Sequence, residues 1–246
     1  MALLWIFAGL VSGFIKGLCG VGDAPLFSSI MSFAQNNIDI SPVILFPSIF
    51  SNTLITWQNR KALQTRVWLP MALLLVAGCV PGTLLLKNAD TGILKLAFGI
   101  FIIIIGVIML YNELAQKKMK PSKLLLFTVG ILAGLSSGLF GVGVLLVVYV
   151  SMTTEDMSSF KGNICAIFLA ENVVRVVMYL ILGLFTSTVL KNAALVTPFI
   201  AAGLFTGQKA ASFLNERRAK IVLMVVLILS GIAIVSTNFA VVIIPE

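Results

Sequence analysis

The chain has 246 residues, of which 59% are hydrophobic and only 11% are charged, and its formal net charge is +8. A soluble domain of this length needs far more charge on its surface, so the composition excludes a soluble globular protein. The basic residues lie mainly in short loops between apolar runs, which is typical of topology signals and of contacts with anionic lipid. The sequence therefore predicts membrane lipid, and not nucleic acid, as a partner of the chain.

The apolar runs match the length of about 20 residues that a helix needs to cross a hydrocarbon core roughly 30 Å thick. The first half is predicted to contain a glycine-spaced helix, a short apolar piece and three full-length helices: Leu3–Leu18, Ala24–Ala34, Ser41–Trp57, Val67–Leu86 and Ile93–Tyr111. The second half repeats this order with Leu124–Leu139, Val144–Met152, Lys161–Gly183, Ala193–Phe213 and Ala219–Thr237. The second piece in each half is too short to span a membrane alone.

The same plan occurs twice because the sequence contains an internal repeat. Residues 9–22 read GLVSGFIKGLCGVG, and residues 130–143 read GILAGLSSGLFGVG. A second block, residues 69–110, aligns with residues 194–235 in the same order along the chain. We therefore predict a first repeat over residues 1–111, a basic linker over residues 112–123 and a second repeat over residues 124–246.

The charge distribution predicts that the two repeats are inverted. If each helix–turn–short-helix unit enters and leaves on one side of the membrane, the loops that contain Arg60, Lys118 and Arg217 all face the same side. The positive-inside rule then places these loops in the cytoplasm and both termini outside. We predict a multi-pass protein of the inner (plasma) membrane, an all-α polytopic transmembrane bundle of two inverted repeats with about 8–10 hydrophobic segments.

Two G-x-G turns, Gly20-Val21-Gly22 and Gly141-Val142-Gly143, break the helices at matching positions of the two halves. Broken backbone is tolerated inside a membrane only where protein or a water-filled cavity covers it. The short helix after each turn begins with free N–H groups and a positive dipole end, which suit an anion. Substrate contact and plain helix packing are both open for the turns, whereas the GxxxG spacing that precedes each turn indicates close helix packing.

The G-x-G turns, the two repeats of about 120 residues and the basic central loop resemble the sulfite exporter TauE/SafE family of permeases over nearly the whole chain. The resemblance implies transport of a small sulfur-containing anion, such as sulfite, thiosulfate or an organosulfonate, or of a carboxylate-bearing solute. The family's turn is usually close to GxGGG followed by a proline, and Gly20, Gly22 and Pro25 match it. Asp23 stands where a further glycine is expected, and a carboxylate at this helix start would occupy or repel an anion unless it is protonated.

Four charged residues lie within apolar runs, where ionisable side chains are functional hypotheses by default. Asp23 is either a helix N-cap or a carboxylate that couples transport to protons or cations. Glu171 and Arg175, four residues apart, form either a structural pair or a site in which Arg175 binds the anion and Glu171 takes up a proton. Lys16 is expected to extend its ammonium group to the membrane interface rather than to contact the solute.

Polar residues form a stripe on the helix that follows each hairpin. The stripe of the first half consists of Ser48, Asn52, Thr56 and Asn59, and that of the second half consists of Asn172, Arg175 and Tyr179. Asn52 and Asn172 are equivalent residues of the two repeats. A polar stripe either joins helices or lines a cavity, and its occurrence in both halves favours a cavity.

No enzymatic site is predicted, because the chain has no histidine and no metalloprotease or phosphate-binding motif. The three cysteines have neither zinc nor disulfide spacing, and no cofactor is expected. The sequence thus predicts a permease for a small anionic solute, and leaves its oligomeric state open. The predicted solute-binding residues are Gly20, Val21, Gly22, Gly141, Val142, Gly143, Asn52, Asn172 and Arg175, with Asp23 and Glu171 as coupling residues. The alternative is a membrane scaffold or assembly factor without transport, which requires packing glycines but not paired polar stripes.

Overall fold

The computed structural model is helical wherever it has regular secondary structure, and it describes residues 2–32, 34–35, 37–86, 91–114, 122–141, 143, 145–213, 221–222, 224–225 and 228–236. The first five helices are α1 (Ala2–Cys19), α2 (Asp23–Ser32), α3 (Asn37–Gln58), α4 (Thr65–Leu86) and α5 (Thr91–Leu114). The next four are α6 (Lys123–Phe140), α7 (Leu145–Thr153), α8 (Met157–Ile181) and α9 (Ser187–Ala211). Residues 228–236 are also helical.

The helices agree with the predicted segments and form a polytopic helical membrane bundle. Within the described part of the chain, six helices are long and apolar enough to cross a membrane, namely α1, α3, α4, α6, α8 and α9. Helices α2 and α7 have 10 and 9 residues and are too short to span it alone. Both ends of the predicted linker, residues 112–114 and Lys123, are helical, because α5 continues to Leu114 and α6 already begins at Lys123. The last predicted segment, Ala219–Thr237, lies partly outside the described residues.

The two glycine turns end their helices in the same way. The amide of Gly20 donates to the carbonyl of Lys16, and the amide of Gly141 donates to the carbonyl of Ser137, both at 2.7 Å. Gly20 and Gly141 have φ angles of +83° and +75°, in the left-handed region that glycine adopts without strain. Helix α2 begins at Asp23 and α7 at Leu145, so that in each half a short helix follows the glycine turn and forms with it the unit that we call the hairpin.

Helix packing joins the two halves through glycines, as the GxxxG spacing predicts. In the α1–α9 interface, Gly13 lies against the backbone of Ile200, where a side-chain carbon would collide with the carbonyl oxygen. In the α4–α6 interface, Gly134 lies against the backbone of Leu75 in the same manner. Because α1 and α6 are repeat equivalents, as are α4 and α9, exchanging the halves converts one interface into the other.

The equivalent helices α3 and α8 cross the centre of the bundle and run antiparallel. Ser41, near the start of α3, lies beside Arg175 in the later part of α8, with 3.5 Å between the Ser41 carbonyl oxygen and Arg175 Nη2. Asn59, just beyond the end of α3, packs against Gly162 near the start of α8. An inverted pair of repeats requires this antiparallel course. The orientation of the halves relative to the membrane remains a prediction.

Candidate functional site

A cavity of about 40 Å³ lies where the two hairpins meet between α3 and α8. Most of the residues predicted for the site line it: Val21, Gly22, Asp23, Asn52, Gly141, Gly143, Glu171, Asn172 and Arg175. Gly20 belongs to the same buried turn but packs against Lys161, with only 2.6 Å between the position of an added Cβ and Lys161 Cγ. Val142 lies outside the described residues. The fold therefore brings together residues from both halves that are about 120 positions apart in sequence.

The first charged pair of the cavity connects α1 to α2 across the first glycine turn. Lys16 Nζ donates to Asp23 Oδ1 at 3.1 Å, and Ser48 Oγ from α3 donates to Asp23 Oδ2 at 3.0 Å. Lys16 is only 1% exposed and its ammonium group lies 5.7 Å from the centroid of the Phe168 ring. The prediction that Lys16 extends to the membrane interface is therefore wrong. The nearby Asp23 carboxylate gives the ammonium group an ion pair inside the protein, which removes the need to reach water.

The second charged pair lies on α8. Glu171 Oε1 and Arg175 Nε are 3.7 Å apart, which is within ion-pair range but too long for a hydrogen bond. The Glu171 carboxylate instead accepts a hydrogen bond of 2.5 Å from Ser137 Oγ, and the Cys79 thiol lies 3.7 Å away. Arg175 Nη2 donates to the Tyr179 hydroxyl at 2.7 Å. Glu171 and Arg175 are thus each held mainly by other side chains and only loosely by one another.

Three buried polar atoms on cavity-lining residues have no hydrogen-bond partner among the described residues. They are Asn52 Oδ1, Asn172 Nδ2 and Arg175 Nε. Buried polar groups in proteins are normally paired, and those left over beside a cavity are commonly satisfied by water or by a ligand. The two equivalent asparagines and the guanidinium therefore offer one acceptor and two donors to an occupant of this cavity.

The charges of the cavity balance but are not arranged symmetrically. Lys16 and Arg175 oppose Asp23 and Glu171, so the lining has no net formal charge when all four are ionised. In the repeat alignment, Ser137 takes the place of Lys16, and it is this serine that donates to Glu171. The first half carries its ion pair on the hairpin and the second half carries it on α8. The two sides of the cavity therefore have different chemistry despite their common backbone plan.

An aromatic cluster lies next to Arg175. Tyr179 is fully buried, and its ring meets Phe185 edge-on at a centroid distance of 6.0 Å. Phe185 in turn packs against Phe46 of α3 at 5.2 Å. Because Arg175 Nη2 donates to the Tyr179 hydroxyl, the charged lining and the aromatic cluster are directly connected.

Sequence reasoning did not assign Lys16, Ser137, Phe168 or Cys79 to the site. The repeat alignment contained one usable signal, since Lys16 and Ser137 occupy equivalent positions four residues before the first glycine of each turn. Cys79 and Phe168 had no such signal because nothing in their local sequence indicates which helices they meet. Among the described residues, no group of three or more Cys, Asp or Glu side chains is placed to hold a metal ion.

Comparison with known proteins agrees with this architecture. The profile of the family described as "Sulfite exporter TauE/SafE" matches residues 5–234. The chain belongs to the sulfite exporter TauE/SafE family. A curated relative, "Probable membrane transporter protein MJ0441" from Methanocaldococcus jannaschii, is 28% identical over 152 residues, and the match covers 57% of each chain. The chain thus aligns with little more than half the length of that relative. No solved structure matches it significantly.

Membership in the TauE/SafE family confirms the resemblance that the glycine turns and the basic central loop suggested. The family match includes both hairpins and the helices α3 and α8 that line the cavity. Together with the six apolar helices, it identifies the chain as a multi-pass membrane protein.

Proposed function

We propose that this chain is a membrane permease for a small anionic solute, a sulfur oxyanion, an organosulfonate or a carboxylate. The carrying observation is the Arg175 guanidinium, which lines the central cavity while its Nε has no hydrogen-bond partner among the described residues. Guanidinium groups suit oxyanions because their planar fork donates parallel hydrogen bonds. The family assignment and the name of the curated relative support transport as the activity.

The helix ends around the cavity add to this preference for an anion. The first residues of α2, from Asp23 to Pro25, line the cavity, and so do Gly143 and Val147 around the start of α7. Unsatisfied N–H groups and the positive end of the dipole favour negative charge at helix N-termini. The carboxylate of Asp23 no longer argues against an anion, because Lys16 neutralises it at 3.1 Å. Two helix starts and one arginine therefore line the same small volume.

The size of the cavity favours a small solute. Its volume of about 40 Å³ compares with the roughly 10–15 Å³ that one buried water requires on the same measure. The space therefore suits an oxyanion with a few heavy atoms. A larger organosulfonate requires the lining to move apart.

Charge balance suggests how transport is coupled to protons. An anion that enters a neutral lining leaves an uncompensated negative charge in the membrane, which is costly. When the anion takes the Arg175 guanidinium, Glu171 loses a partner that is already 3.7 Å away, and protonation of its carboxylate restores neutrality. Asp23 keeps a closer ion pair and a serine donor, so it is the second candidate for the proton. In this proposal one proton accompanies one monovalent anion.

The proposed setting is the inner (plasma) membrane, with inverted repeats and the basic loops in the cytoplasm. The antiparallel course of α3 and α8 supports the inversion. The alternative function, a membrane scaffold or assembly factor, accounts for the packing glycines. It does not account for the three unpartnered polar atoms of the cavity.

Uptake into liposomes by the purified protein tests the proposal. Sulfite, thiosulfate, methanesulfonate and acetate are supplied separately, with and without a pH gradient, to vesicles with and without the protein. We expect accelerated uptake of at least one of these anions, its loss in Arg175→Gln, and its retention in the matched control Arg60→Gln, which replaces an exposed arginine. If folded protein moves none of them faster than empty vesicles do, or if Arg175→Gln transports normally, the proposal fails.

A further inference from the structure

A second, larger cavity lies near the start of α8 and has not been assigned a role. Its volume is about 300 Å³, and its polar lining includes Gln58, Asn59, Ser158, Lys161 and Gln208. Asn59 directly precedes the basic turn Arg60–Ala62, so the cavity lies on the side of the basic loops. We call it the vestibule. It is at the opposite end of α8 from Tyr179 and its aromatic neighbours.

Lys161 gives the vestibule a positive charge without a counter-ion. Its Nζ donates to the carbonyl oxygens of Gly17 and Leu18, at 3.2 and 2.8 Å, near the C-terminus of α1. Among the described residues, no carboxylate oxygen lies within ion-pair distance of this ammonium group. The carbonyl dipoles at this helix C-terminus act as only about half a negative charge, so they hold the lysine in place and offset its charge in part. The vestibule therefore keeps a positive charge that a mobile anion can approach.

Amide side chains line the same vestibule as Lys161. Gln58 at the end of α3 and Gln208 near the end of α9 hydrogen-bond to each other in both directions, at 2.8 and 3.5 Å. Both side chains line the vestibule, and Asn59 lies beside them. Each amide can turn its N–H donors towards an oxyanion, and because this pair is exposed, water can donate to the two side-chain carbonyl oxygens that are released.

A polar path leads from the vestibule towards the central cavity. The stripe on α3 begins with Ser48 and Asn52 in the central cavity and ends with Asn59 in the vestibule. Between them lies Thr56, whose Oγ1 is buried and has no hydrogen-bond partner among the described residues. On α8, Lys161 and the cavity-lining Phe168 are seven residues apart, or about 10 Å along the helix.

We propose that the vestibule is a second anion-binding site, in which Lys161 and the Gln58–Gln208 amide pair receive a small oxyanion or sulfonate from the side of the basic loops. The anion then passes along the α3 stripe, with the Thr56 hydroxyl as an intermediate donor, to the central cavity. This inference rests on the proposed function and adds an outer site to the same route. The binding chemistry is that of a monovalent oxyanion, with one ammonium group and several amide N–H donors.

Thiol labelling in detergent-solubilised full-length protein tests the vestibule without requiring transport. Ser158 lines it and is exposed, so Ser158→Cys places a reactive thiol there, and the parent protein gives the background of its three buried cysteines. The probes are sulfonatoethyl methanethiosulfonate, which is anionic, and trimethylammonioethyl methanethiosulfonate, which is cationic. We expect Lys161→Gln to lower the anionic-to-cationic rate ratio about tenfold, because it removes a nearby charge, and Lys161→Arg to preserve the ratio. Ser187→Cys, exposed at the far end of α9, is the control whose ratio does not change.

The second part of the test measures whether added ligands protect the thiol from labelling. Methanesulfonate protects Ser158→Cys from both reagents in the presence of Lys161, whereas neutral dimethyl sulfone does not. The inference is overturned if Lys161→Gln leaves the ratio unchanged, if Lys161→Arg behaves like Lys161→Gln in folded protein, or if both additives protect equally. Normal liposome transport together with a negative labelling result would refute the vestibule as an anion site but would leave the proposed function standing. A positive labelling result without transport would support the vestibule as an anion site and would refute the proposed function.

Discussion

Lys16 and Asp23 face each other across the first glycine turn and form a buried ion pair of 3.1 Å between Nζ and Oδ1. The pair fixes the start of α2 against the end of α1 at the wall of the central cavity. The same geometry neutralises the carboxylate that would otherwise repel an anion there. The pair therefore contributes both to the stability of the hairpin and to the electrostatics of the site.

Breaking this pair on one side should destabilise the protein more than removing both charges. Asp23→Asn leaves a buried ammonium group without a counter-ion, at a cost of about 3–5 kcal/mol, whereas Lys16→Met with Asp23→Asn leaves no unpaired charge. We expect the single variant to have a clearly lower Tm in detergent, and the double variant to regain most of the loss. Additive effects of Lys16→Met and Asp23→Asn on Tm would contradict the ion pair.

Replacing Arg175 with lysine should show whether solute binding needs the planar guanidinium or only a positive charge. Arg175→Lys retains the charge but offers no fixed pair of donors, so solute binding should weaken by about tenfold or more. The measurement is the Kd of a transported anion for purified protein. A Kd equal to that of the parent protein would mean that the fork does not hold the solute.

Glu171→Gln should separate binding from coupling. The amide keeps the shape of the side chain and can still accept from Ser137, but it cannot take up a proton. We expect anion binding to persist and the dependence of uptake on the pH gradient to disappear. If Arg175→Gln combined with Glu171→Gln transports like the parent protein, the pair is structural only, and the helix N-termini hold the solute.

Glycine substitutions should distinguish backbone strain from damage to the site. Gly141 and Gly183 both have positive φ angles, +75° and +68°, so alanine at either position costs about 1 kcal/mol in strain. An added Cβ at Gly183 meets nothing within 4 Å, but at Gly141 it comes 2.9 Å from Arg175 Nη2. We therefore expect Gly183→Ala to retain transport and Gly141→Ala to lose most of it at a similar Tm. Equal transport by the two variants would mean that the second turn is not part of the site.

Removing the Tyr179 hydroxyl should strengthen anion binding. This hydroxyl accepts a hydrogen bond of 2.7 Å from Arg175 Nη2 and therefore competes with a solute for the guanidinium. Tyr179→Phe keeps the ring against Phe185 and frees one donor, which should tighten binding about tenfold, the worth of one hydrogen bond to a charged group. Tyr111→Phe, at an exposed tyrosine on α5, is the control. Weaker binding in Tyr179→Phe would mean that the hydroxyl positions Arg175 for the solute.

The helical segments and their order follow from the amino-acid sequence alone. Helix length, glycine turns and the repeat are properties of contiguous residues, so the amino-acid pattern alone could predict that Gly22, Gly141 and the pair Asn52 and Asn172 lie close together. The equivalence of the two asparagines carried this prediction, because repeated backbone plans place equivalent residues at equivalent depths.

Tertiary structure alone decided which charges meet. Lys16 was expected to reach the membrane interface because long basic side chains in apolar helices commonly extend there, and the geometry of the turn instead brings it to Asp23. Likewise, Ser137 and Glu171 are separated by 34 positions, and they become hydrogen-bond partners because α6 and α8 both pack against α4. Contiguous residues encode length and turn conformation. The partner of a buried charge depends on the approach of segments that are distant in the chain, which hydropathy and spacing do not specify.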